Sequence, residues 1–278
     1  MIRRFYKMHG IGNDYIYFDC FDGELPDPEG ASRKLSDRHF SIGGDGVVMI
    51  CKSGVADGKM RMFNADGSEG KMCGNAIRCV GKFLYEIKGI RKDVLTVETL
   101  SGIKTLYLTV SDGKVVSVRV DMGKAELSPD KIPARFAGEK VVGAPLNVNG
   151  REYAVTCVSM GNPHCVVFED PDSLDLEKIG PAFENHEAFP ERVNTEFVRV
   201  MGKNEVKMRV WERGSGETWA CGTGACAVAV ACVLNGYCGK GEDITVHLRG
   251  GDLVIRYTDE TVFMTGGATL AFTGEVEV

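Results

Sequence analysis

The sequence predicts an α+β protein of two pseudo-symmetric domains, each a curved, mostly antiparallel sheet wrapped around a central helix. Three observations lead there. At 278 residues the chain exceeds the usual single-domain size of about 100–150 residues. A cysteine-bearing stretch occurs twice, as "KMRMFNADGSEGKMCGNAIRCV" at 59–80 and "KMRVWERGSGETWACGTGACAV" at 207–228. Much of the rest alternates apolar and polar residues with the two-residue period of strands, broken by Gly, Asp and Asn turns.

The repeat is in register. Cys221 follows Cys73 by 148 residues, as Lys207 follows Lys59, so Asn64 aligns with Glu212 and Gly74 with Gly222. Upstream, "MHGIGNDYIYFD" (8–19) and "SMGNPHCVVFED" (159–170) each set a Gly-Asn ahead of an apolar run, with Asn162 149 residues after Asn13. At the same offset of 149, Asn194 in "ERVNTEFVRV" falls opposite Asp45 in "GGDGVVMI". The runs "KMRMFN", "LTVETLSG", "VVSVRVDMG", "EYAVTCVSM", "TEFVRV", "ITVHLRG", "LVIRYT" and "TVFMTGG" read as strands. After Cys73 the period changes: Ile77, Val80, Phe83, Leu84 and Ile87 recur at helical spacing and Gly89 is placed to cap the end. After Cys221, "GTGACAVAVACVLNG" is apolar on nearly every face, which predicts a buried helix closed by Gly236. The strand-rich tail lacks a partner in its own half and is expected to return to the first. The expected domains are therefore 1–119 with 266–278, carrying Cys73, and 120–265, carrying Cys221.

Composition narrows the function. The hydrophobic fraction of 44% and charged fraction of 26% are those of an ordinary folded protein. The net charge is −6 and the basic residues are scattered, so no stripe exists to neutralise a run of phosphates, and nucleic acid is not expected as a partner. No run of about 20 apolar residues predicts a membrane span, and Tyr6, Lys7 and His9 break the basic N-terminus before a signal-peptide core can form, so the expected location is the cytoplasm. None of the ten cysteines pairs at C-x-x-C spacing, which removes the main support for zinc-ribbon and thioredoxin-type readings. Most are expected to be small buried hydrophobes, Cys79, Cys226 and Cys232 above all.

Cys73 and Cys221 differ from the rest. Each stands where a Gly-containing turn enters a helix, beside unpaired N–H groups and their partial positive charge. That setting is expected to lower a thiol's pKa below its usual value of about 8.5, and it offers donors to a carboxylate. Two domains facing each other would bring the two thiols to opposite sides of one cleft. Inverting a carbon that bears a hydrogen needs this pair: one group removes the proton from one face, another returns a proton to the other face, and the carbanion between them needs its charge stabilised.

The motifs "MHGIGNDY", "FNADGSEGKMCGN", "MGNPH", "ERVNTEF", "WERGSGET" and "ACGTGACA", spread over nearly the whole chain, resemble those of diaminopimelate epimerases. The resemblance implies interconversion of LL- and meso-2,6-diaminoheptanedioate for lysine and peptidoglycan precursors, with no cofactor, neither pyridoxal phosphate nor metal, and it suggests a homodimer. It implies that Cys73 and Cys221 are the acid/base pair. Asn13, Asn64, Asn162 and Asn194 would hold the substrate's amino and carboxylate groups, and Glu212 and Arg213 would engage an ammonium and the distal carboxylate. Gly74, Asn75, Gly222 and Thr223 would supply helix-end donors, and His164 would line the site. The chemistry suits a substrate that is zwitterionic at both ends, since Arg grips a carboxylate bidentately and Glu accepts from an ammonium.

One departure stands out. Many family members carry a substrate-contacting Gln in the segment that here reads Gly43-Gly44-Asp45-Gly46, and Gly46 has no side chain to make that contact. Two alternatives remain in view: a proline or hydroxyproline racemase, which shares the two-thiol logic but not these flanking residues, and a non-enzymatic dithiol redox or zinc-binding module, which predicts a lasting disulfide or bound metal.

Overall fold

The computed structural model describes all 278 residues, Met1–Val278. The chain divides into two compact units, Met1–Asp121 with Thr265–Val278, and Met122–Met264.

In the first unit, β1 (Ile2–Gly10) and β2 (Asn13–Cys20) form a hairpin over the Ile11-Gly12 turn, where both residues have positive φ, 49° and 87°. After α1 (Pro28–Leu35), β3 (Gly46–Cys51) lies parallel to β2, and β4 (Gly58–Asn64) runs antiparallel to β3. The short β5 (Glu69–Gly70) folds back on β4, and α2 (Gly74–Glu86) then crosses to β6 (Val94–Thr99), parallel to β4. The antiparallel strands β7 (Gly102–Ser111) and β8 (Lys114–Asp121) finish the sheet. Parallel neighbours need a crossover, which is why the two helices fall where they do.

The second unit repeats this plan. Its elements are β9 (Ala144–Val148), β10 (Arg151–Ser159), β11 (Pro163–Val167), α3 (Leu176–Glu184), β12 (Asn194–Gly202), β13 (Glu205–Glu212), β14 (Gly216–Thr218), α4 (Gly222–Leu234), β15 (Asp243–Leu248), β16 (Gly251–Tyr257) and β17 (Val262–Gly266). Again two parallel pairs, β11 with β12 and β13 with β15, are bridged by helices, and the other pairings are antiparallel. The tail strand β18 (Thr269–Glu277) pairs antiparallel with β1, the place that β9 holds beside β10.

Each sheet is covered on both faces. On one, α1 lies over β3 and β4, with Leu35, Phe18, Val47 and Phe63 in the core; α3 lies over β12 and β13, its Phe183 packed in one core with Phe197 and Trp211. On the other, α2 packs on β1, β2, β7 and β8, and α4 on β10, β11, β15 and β16. Phe83 of α2 is fully buried with its ring edge-on to Tyr6, centroids 5.0 Å apart. Burial of one such side chain contributes about 1.5–3 kcal/mol. Residues Gly224–Cys232 of α4 are buried without interruption, as expected of a helix apolar on every side. Both central helices end before a left-handed glycine, Gly89 (φ 74°) and Gly236 (φ 77°), which carries the chain away without steric cost.

The strand reading did not foresee α1 or α3. They span only 8 and 9 residues, α3 contains Pro181, and the Asp27-Pro28 opening of α1 resembles a turn although Asp27 caps Gly30 N–H at 2.9 Å.

Candidate active site

The repeat places each cysteine as the cap of a central helix. Cys73 precedes α2 and its sulfur accepts from Ala76 N–H at 3.5 Å; Cys221 precedes α4 and accepts from Gly224 N–H at 3.3 Å. Gly74 and Asn75, and Gly222 and Thr223, form the first turns behind them. The backbone donors and helix dipole expected from sequence are thus present at both sites.

Around Cys73, the thiol donates to Asn13 Oδ1 at 3.3 Å, and Asn13 Nδ2 donates to Asp45 Oδ2 at 2.7 Å. Asp45 belongs to an ion-pair cluster that sequence reasoning missed. Arg38 bridges Asp14 (2.7 Å) and Asp45 (3.0 Å), and the buried Lys7 pairs with Asp14 at 2.5 Å. Burial and the neighbouring Asp14 charge push the Asp45 carboxyl up. Burial also opposes charge on Asp14, but hydrogen bonds from Arg38 and Lys7 prevail and hold it below its ordinary value. Tyr17 donates its hydroxyl to Ala76 O at 3.3 Å, tying the first turn of α2 to β2. Asn75 is buried in that turn, while Asn64, at the end of β4, spends its amide N–H on Ser68 Oγ at 3.0 Å.

Around Cys221 the neighbours are acidic. Glu212, the last residue of β13, accepts from the Thr218 hydroxyl and lies within hydrogen-bond reach of the Cys221 thiol. Burial raises its pKa. Thr223 Oγ1 is 3.5 Å from the sulfur. His164, fully buried in β11, sets Nε2 3.1 Å from Asn162 Oδ1 and Nδ1 2.7 Å from Glu196 Oε1. Glu196 is the residue here that sequence reasoning passed over, although a lone acid inside the apolar run "NTEFV" of a central strand was a usable signal. Burial pushes the Cys221 thiol well up, with further upward contributions from the charges of Glu212 and Glu196. The expected lowering by the helix end is therefore overturned at this cysteine: loss of water and two nearby carboxylates outweigh Thr223 and Gly224 N–H.

Asn194 and Arg213 are brought together, but through the backbone. Asn194 Oδ1 accepts from Arg213 N–H at 3.1 Å and its Nδ2 donates to Pro163 O at 2.9 Å, while the Arg213 guanidinium donates to Glu191 O at 2.8 Å.

Strand register also corrects the alignment of Asn194. Thr195 lies opposite Trp211 and Val47 opposite Phe63, both pairs related by 148 residues, so the counterpart of Asn194 is Gly46 and not Asp45. The connection before β12 is one residue shorter than that before β3, relative to the Asn162–Asn13 match. A Cβ on Gly46 would stand 2.0 Å from Phe63 O, which explains why no side chain occupies this position.

The other cysteines are mostly packing, as expected: Cys20 lies opposite Cys51, and Cys157 opposite Cys165, all four buried. Cys238 is buried as well, and a hydrogen bond from Cys232 holds its pKa down to about 7.

A family model for diaminopimelate epimerase matches residues 5–128 and 156–271. The chain is 55% identical to the diaminopimelate epimerase of Desulfovibrio desulfuricans, covering 98% of this chain and 97% of that protein. It is 54% identical to that of Methanococcus maripaludis, covering 99% and 100%. Among solved structures, a hydroxyproline epimerase from Agrobacterium vitis superposes over 99% of this chain and 92% of that one with a TM-score of 0.71 at 15% identity. A PhzF-family phenazine biosynthesis protein from Bacillus anthracis does so over 100% of both with a TM-score of 0.70 at 16% identity. Those two likenesses speak to fold alone. The chain belongs to the diaminopimelate epimerase family.

Proposed function

We propose that this protein interconverts LL- and meso-2,6-diaminoheptanedioate by two-base proton transfer, with Cys73 and Cys221 as the acid/base pair. The observation that carries the reading is the duplicated cap: two sulfurs at register-equivalent helix N-termini, each accepting a backbone N–H three residues on. A thiolate takes the α-hydrogen as a proton and becomes a thiol, leaving the electron pair on the α-carbon and its carboxylate. The other thiol gives its proton to the opposite face and becomes a thiolate, so the pair exchanges roles with each turnover. Burial and the acids beside it push the Cys221 thiol up, which favours it as the first proton donor. Asn13 Oδ1 is placed to accept from Cys73 once that sulfur carries the proton.

The helix-end N–H groups behind Gly74-Asn75 and Gly222-Thr223 suit the substrate carboxylate as it gains enolate character. Asn162 keeps its amide N–H groups available to substrate, and Glu212 and Arg213 are assigned the ammonium and the distal carboxylate. Asn64 and Asn194 complete the polar frame, Asn194 by holding the Arg213 turn. The reading routes no step through pyridoxal phosphate or a metal. It includes a cytoplasmic homodimer, supported by family likeness; no helix is long and apolar enough to cross a membrane.

The test is a substrate panel. Reduced protein is incubated in D₂O with LL-diaminopimelate, proline or trans-hydroxyproline, and α-deuterium is followed by NMR. Exchange confined to diaminopimelate, with meso product, is expected. Exchange confined to proline or hydroxyproline would move the chain to the racemase chemistry, and exchange with none would leave a dithiol module.

A further inference from the structure

We propose that Glu196 is a positioning residue for this reaction: its buried carboxylate fixes the His164 ring, and through it the Asn162 amide, beside Cys221. The proposal rests on the epimerase reading above and deepens it.

Glu196 and His164 are both 0% exposed and their side chains meet at 2.7 Å. Only one carboxylate oxygen is used, and Oε2 has no hydrogen-bond partner. An acid held in this way is costly, because a buried carboxylate lacks the hydration it loses. The fold does not require it. By strand register the first unit places Val48 at the position of Glu196 and Tyr15 at that of His164, and the same strand pairing forms there. The acid is therefore a feature of the second unit's site.

Two further features are shaped around it. A Cβ on Gly224 would stand 2.6 Å from Glu196 Oε1, so the first turn of α4 has a glycine where the carboxylate approaches; its counterpart in α2, where no acid approaches, is Ala76. The helix N-terminus also stabilises the anion it admits. On the far side, His164 has an oxygen within hydrogen-bond distance of each ring nitrogen, Glu196 Oε1 at Nδ1 and Asn162 Oδ1 at Nε2, and this leaves Asn162 Nδ2 directed away from the ring. The first unit turns its asparagine the opposite way and by a shorter route, Asp45 taking the Asn13 amide N–H directly at 2.7 Å and leaving Oδ1 to the Cys73 thiol. Each Gly-Asn asparagine is thus turned by an acid.

The ionisable groups facing Cys221 are Glu212 from β13 and Glu196 from β12, with Thr223 and Gly224 N–H from α4, while His164 from β11 acts on the two acids. Glu196→Gln keeps shape and one acceptor but removes a negative charge, so ionisation of Cys221 should become easier and the alkaline limb of kcat/KM should move to lower pH. The loss of a charged hydrogen bond to His164 should lower kcat/KM for diaminopimelate by about 10- to 100-fold.

The experiment pairs two readouts on Glu196→Gln. One is kcat/KM against pH in an otherwise unaltered protein. The other is the pH dependence of iodoacetamide alkylation at Cys221, measured by peptide mass spectrometry in a Cys73→Ala background, which needs no turnover. A fall in kcat/KM together with alkylation beginning at lower pH is expected. Unchanged kcat/KM, or a fall with no shift in alkylation, overturns the proposal, the latter marking mere structural damage. If the parent protein does not act on diaminopimelate, the epimerase reading fails and the positioning role with it, whatever the alkylation shift shows about charge.

Discussion

The two halves hold a sulfur in the same backbone frame and surround it with opposite chemistry. Beside Cys73 stand a neutral amide and, beyond it, two acids answered by Arg38 and Lys7. Beside Cys221 stand the acids Glu212 and Glu196, with His164 the one ring between them and Asn162. What duplication preserved is the part every reaction of this kind needs, a helix end with donors aimed at developing negative charge. What diverged are the charged and polar side chains around each sulfur. A two-base epimerase gains from that asymmetry, because the resting protein must hold one thiol and one thiolate rather than two of either.

The comparison breaks most completely if one sulfur is dispensable. Cys73→Ala and Cys221→Ala should each lower kcat/KM by about 10⁴-fold, the upper end of what a general acid or base supplies, with circular dichroism and Tm close to the parent. Either variant retaining more than a tenth of parental turnover would contradict a shared role.

A smaller effect sharpens the difference between the helix ends. Gly224→Ala drives a methyl group into Glu196 and should destabilise by about 1–3 kcal/mol while lowering kcat/KM at least about tenfold. The reciprocal Ala76→Gly meets no acid and should cost only about 1 kcal/mol of helix propensity, with kcat little changed. Thermal unfolding and steady-state rates on both variants separate the two; equal activity losses would mean that the acidic setting of Cys221 is incidental.

The smallest effect is on stability. Burial raises the Glu212 pKa, so this group's contribution is fully present below its unfolded value of about 4.5 and is lost as pH rises through the folded value. Glu212→Gln should therefore gain Tm relative to the parent as pH increases from about 4 to 8, each kcal/mol appearing as about 2–4 °C. A gap that narrows with rising pH would show the carboxyl to be stabilised as an anion.

The backbone frame was legible in the sequence because it depends on local signals: a Gly-Asn turn, a Gly-bearing turn before each helix, and a glycine after each helix. The short helices α1 and α3 were not, since eight or nine residues carry too few turns to show a period. Register was half legible. Motif spacing aligned Asn194 with Asp45, and only the pairing of Thr195 with Trp211 and Val47 with Phe63 moved it onto Gly46. Electrostatics were least legible. The helix end at Cys221 predicted an easily ionised thiol, but Glu196 and Glu212 lie 25 and 9 residues upstream, and their charges reach the sulfur only in the folded sheet.

The most direct test of the two-sulfur account follows LL-diaminopimelate in D₂O at less than about a tenth of conversion, with deuterium measured separately in recovered substrate and in product. Two bases predict deuterium at the inverted centre of the meso product and none in the substrate that remains. Equal deuterium in both pools, or transfer of the original hydrogen into product, would mean that a single group serves both faces and would contradict it.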